Sequence, residues 1–131
     1  MSIKILCDKI IEKQNPTVAG LDPKLDFIPE YILNEAFEKY GKNLKGAAAA
    51  IFTFNKGLID ELYDIVPAVK PQSAYYEMYG YHGVKTLYKT IEYAKKRGMM
   101  VITDGKRNDI GTTMEAYAVA HLGRLELEGD M

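Results

Sequence analysis

The chain has 131 residues, of which 47% are hydrophobic and 27% charged, as expected for a single globular domain spanning residues 1–131. Its 17 basic and 18 acidic side chains give a formal net charge of -1, which excludes a general attraction for nucleic acid or an anionic membrane. One cysteine excludes an internal disulfide, and no apolar run approaches the roughly 20 residues of a membrane span. We therefore expect a cytoplasmic protein with no nucleic-acid partner and no membrane partner.

The first predicted helix is amphipathic, with Ser2 placed to cap it and the sequence QNP placed to end it. Its apolar residues share one helical face: Ile3, Leu6, Cys7, Ile10 and Ile11. Because Cys7 lies on that face, we expect a buried and chemically inert thiol.

A short strand and a second helix follow. The run TVAGLD, residues 17–22, has a β-branched start and is cut off by Pro23, which predicts a buried strand ending at Asp22. Residues 23–46 look like an insertion with a short helix that Pro29 opens and Gly41 ends. The apolar face of this helix consists of Ile32, Leu33, Ala36, Phe37 and Tyr40.

A third helix is predicted to begin near Ala47 and to precede a second strand. Its apolar stripe comprises Ile51, Phe54, Leu58, Leu62 and Ile65. The run VPAVKPQ, flanked by Pro67 and Pro71, predicts a strand ending at Lys70. A tyrosine-rich loop is expected next, with Tyr75, Tyr76, Tyr79 and Tyr81 packing over the core.

The clearest helical pattern leads into the third strand. Its apolar face comprises Val84, Leu87, Tyr88, Ile91 and Ala94, and three basic residues precede a left-handed cap at Gly98. The run MMVITD, residues 99–104, predicts strand 3. Thr112 and Glu115 have the spacing of a capping box before a final helix that Gly123 ends. The remaining RLELEGDM stops where a fourth strand is expected.

The whole pattern is three strand-then-helix units. Strands that alternate with helices predict an α/β fold with a parallel sheet and right-handed crossovers. The periodicity fits either an open doubly wound sheet or an arc of a TIM (β/α)8 barrel.

Ionisable residues stand at the end of every predicted strand. Asp22 ends the first, Lys70 the second, and Asp104 with Lys106 the third, while Asp109 lies in the following turn. The carboxyl ends of parallel strands meet at one edge, where ligands bind. Side chains two apart on a strand point the same way, so Asp104 and Lys106 should face one side. One such charge would be an ordinary solvated loop residue, but the array predicts a preorganised electrostatic site.

The two histidines are weaker candidates for chemistry. His82 and His121 are distant in sequence from the strand ends, and neither has metal-ligand spacing. We expect both to be packing or surface residues.

The run DGKRNDIGTT resembles the D-x-K-x-x-D-I-x-x-T signature of orotidine 5'-phosphate decarboxylase. The matching positions are Asp104, Lys106, Asp109, Ile110 and Thr113. The resemblance extends to AGLDP at strand 1 and to AVKPQSAYYE at strand 2, the latter being similar to the longer bacterial subgroup. It covers the chain from about residue 15 to residue 123.

The resemblance implies decarboxylation of orotidine 5'-phosphate to UMP in de novo pyrimidine biosynthesis. Asp22 and Lys70 would hold ribose hydroxyls, Lys70 and Asp104 would belong to a charge network, and Lys106 would protonate the pyrimidine carbon. The substrate partner is then a small-molecule nucleotide, and no cofactor and no metal are needed.

The resemblance also implies a homodimer, in which Asp109, Ile110 and Thr113 would reach into the neighbouring subunit's site. A (β/α)8 barrel usually needs about 250 residues. We therefore expect the chain to be the N-terminal portion of the enzyme, containing the first three strands of an incomplete barrel.

Three alternatives stay open. A related group of sugar-phosphate decarboxylases and synthases shares D-x-K-x-x-D but has an acidic metal ligand at the end of strand 2, where this chain has Lys70. An ammonium does not coordinate magnesium, so the metal-free reaction fits better. A Schiff-base aldolase is the second alternative, since a barrel lysine can be a nucleophile. The third is an inactive fragment that only self-associates.

Overall fold

The structure is a computed structural model that describes residues 2–123, so the expected fourth-strand position in RLELEGDM lies outside the described residues. The elements, in chain order, are α1 (Ser2–Lys13), β1 (Val18–Leu21), a 3₁₀ turn (Leu25–Phe27), α2 (Glu30–Tyr40), α3 (Leu44–Leu62), β2 (Ala68–Pro71), α4 (Ala74–Glu77), α5 (Gly80–Lys96), β3 (Met100–Val101) and α6 (Gly111–Leu122). Within this range, no helix is both long and apolar enough to cross a membrane.

The described strands form a parallel sheet in the order β1-β2-β3, which confirms the predicted α/β arrangement. The β3 strand is shorter than the predicted run of residues 99–104. Hydrogen bonding to β2 nevertheless continues beyond it, because the Ile102 N–H donates to the Val69 carbonyl at 2.9 Å and the Asp104 N–H to the Pro71 carbonyl at 3.1 Å. The sheet edge therefore extends to Asp104, as an irregular continuation of β3.

The core consists of two clusters that lie along helix α3. One cluster, which includes Ile51, Tyr76 and Leu87, joins α3 to α2, α4 and α5. The other, which includes Leu21 and Ile59, joins α3 to the sheet. The two clusters follow one another along α3, the first on its N-terminal half and the second on its C-terminal half, while Lys56 and Gly57 on the opposite face are exposed. This packing holds the carboxyl ends of the strands in place.

Helix α2 has the predicted limits, whereas α3 begins three residues before Ala47. The reason is a cap that the apolar pattern does not show: the Asn43 side-chain oxygen accepts hydrogen bonds from the N–H groups of Lys45 at 2.9 Å and Gly46 at 3.1 Å. At the other end, Ile65 lies beyond the helix and is exposed, so its place in the predicted stripe is wrong.

The prediction that Cys7 is buried is wrong. Cys7 is exposed, and none of the residues of α1 is buried. Hydrogen bonds connect the C-terminal end of this helix with the rest of the described chain. The Lys13 Nζ donates to the Asp64 carbonyl at 3.5 Å, and the neighbouring Asn15 also donates to this region. The amphipathic pattern predicts the helix correctly, but none of its residues belongs to either core cluster.

Three further local predictions are wrong. The tyrosine-rich segment is helical rather than a loop. Tyr76 and Tyr79 are buried in the core and Tyr75 packs against it as expected, but Tyr81 is 69% exposed, so its predicted place over the core is wrong. At α6 the cap residue is Ile110, and no side chain caps the helix, so Thr112 and Glu115 do not form a capping box. Gly98, with φ of 80°, provides the left-handed turn predicted after α5.

Two helical glycines provide a matched test of the packing between α4 and α5. A Cβ on buried Gly83 would overlap the Tyr76 carbonyl, whereas a Cβ on exposed Gly57 would have no neighbour within 4 Å. We expect Gly83→Ala to destabilise the fold by about 1–3 kcal/mol. Gly57→Ala should stabilise it by about 0.5–1 kcal/mol, because alanine favours a helix interior. Urea unfolding of both variants measures this, and equal effects would contradict the α4–α5 contact.

Candidate active site

The carboxyl ends of the three strands bring the predicted charged residues to one edge of the sheet. Lys70 is the third residue of β2, and Asp22 directly follows β1. Asp104, three residues beyond β3, pairs with Gln72 in an isolated parallel bridge. These positions share an edge because all three strands run in the same direction.

Asp104 is the centre of a group that we call the charge cluster, which consists of Lys70, Gln72, Asp104 and Lys106. The Asp104 Oδ2 atom accepts hydrogen bonds from Lys70 Nζ at 3.3 Å and from Gln72 Nε2 at 2.9 Å. Its Oδ1 atom accepts one from Lys106 Nζ, also at 3.3 Å. One carboxylate is thus held between two ammonium groups and an amide.

The charge cluster is graded in exposure from Asp104 outwards. The Asp104 side chain is 28% exposed, that of Lys70 is 37% exposed and that of Lys106 is 78% exposed. The hydrogen bond from Lys70, and secondarily the one from Lys106, lowers the pKa of Asp104, against the opposing effect of desolvation. Asp104 is therefore ionised at neutral pH, and Lys106 extends its ammonium toward solvent, where a ligand could meet it.

Lys106 reaches Asp104 through a backbone turn rather than through strand alternation. Its φ is 47°, in the left-handed region, which costs a non-glycine residue roughly 1–2 kcal/mol. Lys106 also lies beyond β3, so the strand alternation from which we expected it to face Asp104 does not apply, and that reason is wrong. The two residues do meet, because the turn directs the Lys106 side chain back toward the carboxylate. Such outliers cluster at functional sites.

The pKa of Asp104 provides a direct test of the charge cluster. In a carbon-detected NMR titration, we expect its carboxyl to titrate below the ordinary aspartate value of about 3.9. Because the folded-state pKa is lowered, the stabilisation from Asp104 is complete above that ordinary value. It is lost as the pH falls through the folded pKa.

The matched variants for this titration are Lys70→Ala and Lys106→Ala. We expect both to raise the pKa of Asp104, and Lys70→Ala to raise it more, since the Lys70 hydrogen bond is the largest cause of the lowering. A pKa of Asp104 that neither variant changes would contradict the ion pairs.

The other predicted site residues lie outside the charge cluster. Asp22 is exposed at the sheet edge and forms no ion pair within residues 2–123. Asp109 is exposed as well, and its Oδ1 accepts a hydrogen bond from the Ile110 N–H at 2.8 Å. Ile110 is 85% exposed, and Thr113 is exposed on the first turn of α6. The structure thus brings together Lys70, Asp104 and Lys106, and leaves these four residues facing outward.

Sequence reasoning missed four residues around Asp104. Gln72 binds its carboxylate, and the Ser73 Oγ donates to its carbonyl at 3.2 Å. Arg107 forms an ion pair with Glu77, which ties the loop after Asp104 to the end of α4. Gln72 could have been found from its spacing, because it stands two positions after Lys70 and should point the same way. The Arg107 pair has no comparable signal.

Neither His82 nor His121 belongs to the charge cluster, which a groove adjoins. No set of three or more His, Cys, Asp or Glu residues in the described part of the chain is arranged to hold a metal ion. A groove of about 920 Å³ runs between α5, β3 and α6, with apolar walls that include Leu87, Ile91 and Tyr117. Lys106 and Arg107 line it, so it adjoins the charge cluster without enclosing it.

Comparison with known protein families places this geometry in context. Residues 51–131 match the model of the orotidine 5'-phosphate decarboxylase / HUMPS family. An orotidine 5'-phosphate decarboxylase of Caldicellulosiruptor saccharolyticus is 34% identical over 124 residues, which are 95% of this chain and 41% of the relative. One from Rhodopirellula baltica is 42% identical over 118 residues, 89% of this chain and 38% of the relative. The chain therefore spans about two fifths of the length of these relatives.

Solved structures agree with the sequence comparisons. A crystal structure described as an orotidine 5'-phosphate decarboxylase from Streptomyces avermitilis has a TM-score of 0.68 and 32% identity, covering 89% of this chain and 37% of its own. Another, described as an orotidine-monophosphate-decarboxylase from Toxoplasma gondii, has a TM-score of 0.73 and 26% identity, covering 91% and 36%. These matches confirm the predicted fold, the first three strands of a TIM (β/α)8 barrel, of which the chain covers part. The chain belongs to the orotidine 5'-phosphate decarboxylase / HUMPS family.

Proposed function

We propose that the charge cluster serves the decarboxylation of orotidine 5'-phosphate to UMP, a lyase reaction of pyrimidine biosynthesis. The observation that carries the proposal is the Asp104 carboxylate bound by both Lys70 and Lys106 at the carboxyl edge of a parallel sheet. The family match and the names of the relatives support the choice of reaction. We assign the reaction to the whole protein, acting in the cytoplasm, with residues 1–131 in a single barrel domain.

The chemistry follows from where charge develops. When the bond to the carboxylate carbon breaks, carbon dioxide leaves and the electron pair stays on the pyrimidine carbon. The Lys106 ammonium stabilises that carbanion as it forms and then donates a proton to it, so atoms and charge balance. Asp104 holds the ammonium in position through the 3.3 Å contact. Placed beside the substrate carboxylate, Asp104 also opposes the charge of the ground state.

The remaining predicted residues have binding roles in this proposal. Lys70 and Asp22 hold the ribose hydroxyls, with Lys70 donating and Asp22 accepting hydrogen bonds. Asp109, Ile110 and Thr113 reach the site of a second subunit in a homodimer. Their exposure in the single chain supports this role, because a contact across subunits needs side chains that their own subunit does not cover.

Neither a metal nor a cofactor is required for the proposed steps. The position at the end of β2, where related sugar-phosphate enzymes would need an acidic metal ligand, is occupied by Lys70. An ammonium offers no oxygen ligand for magnesium. The aldolase alternative differs in that a lysine would attack a carbonyl carbon and form an imine. Treatment with borohydride and a ketose or aldose phosphate would leave no covalent adduct in the decarboxylase and a stable reduced adduct in the aldolase, because only a ketone or aldehyde can form the imine.

The test of the proposal is a direct assay of the 131-residue chain for loss of the ultraviolet absorbance of orotidine 5'-phosphate. Turnover that depends on Lys106 supports the decarboxylase. The second candidate, an inactive fragment that only self-associates, is favoured by the exposed apolar side chains of Ile110 and Leu122, which are 85% and 90% exposed. Absence of turnover together with concentration-dependent self-association in analytical ultracentrifugation would favour this candidate.

A further inference from the structure

Helix α4 lies between the ends of β1 and β3 and is bonded to both. At one end, the Ser73 N–H and Oγ both donate to the Asp104 carbonyl, at 3.0 and 3.2 Å. At the other, the Tyr76 hydroxyl donates to the Leu21 carbonyl at 3.2 Å. Leu21 is the last residue of β1 and directly precedes Asp22. The helix thus connects the backbone of the charge cluster with the backbone that carries Asp22.

The Tyr76 hydroxyl belongs to a buried chain of hydrogen bonds. Asn55 Nδ2 donates to the Tyr76 hydroxyl oxygen at 2.9 Å and to Thr90 Oγ1 at 3.3 Å. Tyr76, Asn55 and Thr90 are at most 1% exposed. Because the hydroxyl accepts from Asn55, its own proton is available for the Leu21 carbonyl. Each bond in such a chain polarises the next.

The orientation of Asn55 is part of this arrangement. Its Oδ1 is buried without a hydrogen-bond partner in the described part of the chain. Leaving a buried acceptor unsatisfied destabilises the fold, and the two hydrogen bonds that Nδ2 donates offset part of this cost. In addition, burial raises the pKa of the Tyr76 hydroxyl far above its ordinary value, which keeps the hydroxyl protonated and able to donate at neutral pH.

We propose that α4 acts as a brace that sets the position of Asp22 relative to Asp104, with Tyr76 as the positioning residue. The Leu21 carbonyl also accepts from the Gln72 N–H at 3.4 Å, so the bond from Tyr76 fixes a point where β1 meets the charge cluster. The effect on ligand binding rests on the proposed function, in which Asp22 holds the ribose. The effect on the backbone does not.

The competing explanation is that Tyr76 only fills the core. Its ring belongs to the cluster that joins α2, α3, α4 and α5, and that contact needs no hydroxyl. The substitution Tyr76→Phe separates the two, because it keeps the ring and removes the hydroxyl. Tyr79→Phe is the matched control: Tyr79 lies in the same cluster at 7% exposure, three residues further on, and does not bind Leu21.

The first measurement is local and uses NMR of the 131-residue chain. For Tyr76→Phe we expect a shift of the Leu21 carbonyl carbon and about 2- to 10-fold faster hydrogen exchange of the Gln72 amide, the range for one hydrogen bond. Amides in the rest of the sheet should change less. Tyr79→Phe should leave both signals as in the wild type. Unchanged Leu21 and Gln72 signals in Tyr76→Phe, or equal changes in the control, would overturn the brace.

The second measurement compares binding of UMP with that of 2',3'-dideoxyuridine 5'-monophosphate. We expect Tyr76→Phe to weaken UMP binding about 2- to 10-fold and to leave the dideoxy nucleotide unaffected, since only UMP carries the hydroxyls assigned to Asp22. Changed Leu21 signals with unchanged UMP affinity would overturn the positioning role. A wild-type chain that binds both nucleotides equally would instead refute the ribose assignment, and the NMR result would still decide the brace.

Discussion

Replacement of Lys106 by alanine is expected to lower the rate of orotidine 5'-phosphate decarboxylation by about 10³-fold. The reason is that one group supplies both the charge opposite the developing carbanion and the proton that quenches it. Lys70 is not expected to replace it, because its Nζ is held on Asp104 Oδ2, the opposite oxygen from the one that binds Lys106. The rate is measured from the loss of substrate absorbance under single-turnover conditions. The variant is compared with an active wild-type protein.

The control for this substitution is Lys96→Ala, which removes an exposed lysine from the last turn of α5, away from the charge cluster. It should keep the wild-type rate. Lys106→Arg retains the positive charge, but a guanidinium gives up a proton much less readily than an ammonium does. We expect it to recover only part of the lost rate. Full activity of Lys106→Ala would rule out Lys106 as the proton donor.

The second large effect is expected for Asp104→Asn, which should lower the rate about 10²-fold. The amide has nearly the shape of the carboxylate but no charge, so the two ammonium groups lose their shared counter-ion and Lys106 is no longer held at 3.3 Å. A group that orients another through an ion pair also acts with it as a unit. The double variant Asp104→Asn with Lys106→Ala should therefore lose much less than the product of the two single losses.

The matched control for Asp104 is Asp8→Asn. Asp8 is also paired with a lysine, since its Oδ2 lies 2.8 Å from Lys4 Nζ, but this pair is exposed on α1. Exposed pairs contribute about 0–1 kcal/mol, so Asp8→Asn should leave the rate and nearly all of the stability unchanged. If Asp8→Asn lowered the rate as much as Asp104→Asn, the rate would depend on the net charge of the protein and not on the charge cluster.

The regular elements could largely be predicted from local patterns. Helix α2 ends at Tyr40, just before Gly41, and α5 ends at Lys96, two residues before the left-handed Gly98, close to the predicted ends, because apolar periodicity and glycine termination are both local signals. The same kind of pattern misleads at Cys7, because periodicity predicts a helix and an apolar face but does not supply an element to cover it. The pattern does not predict the start of α3 at Leu44 either, since the side-chain cap of Asn43 extends the helix beyond its apolar stripe.

The candidate site divides in the same way between local and long-range information. The identity and spacing of Asp104, Lys106 and Asp109, and the expectation of a parallel sheet, follow from the linear chain. The contacts do not: Lys70 and Gln72 bind Asp104 from 34 and 32 residues away, and Lys106 reaches it through a left-handed turn. The donor–acceptor distance of a hydrogen bond varies by only a few tenths of an ångström. The register of β2 against β3 and the packing of α4 determine such distances, and residue spacing alone cannot.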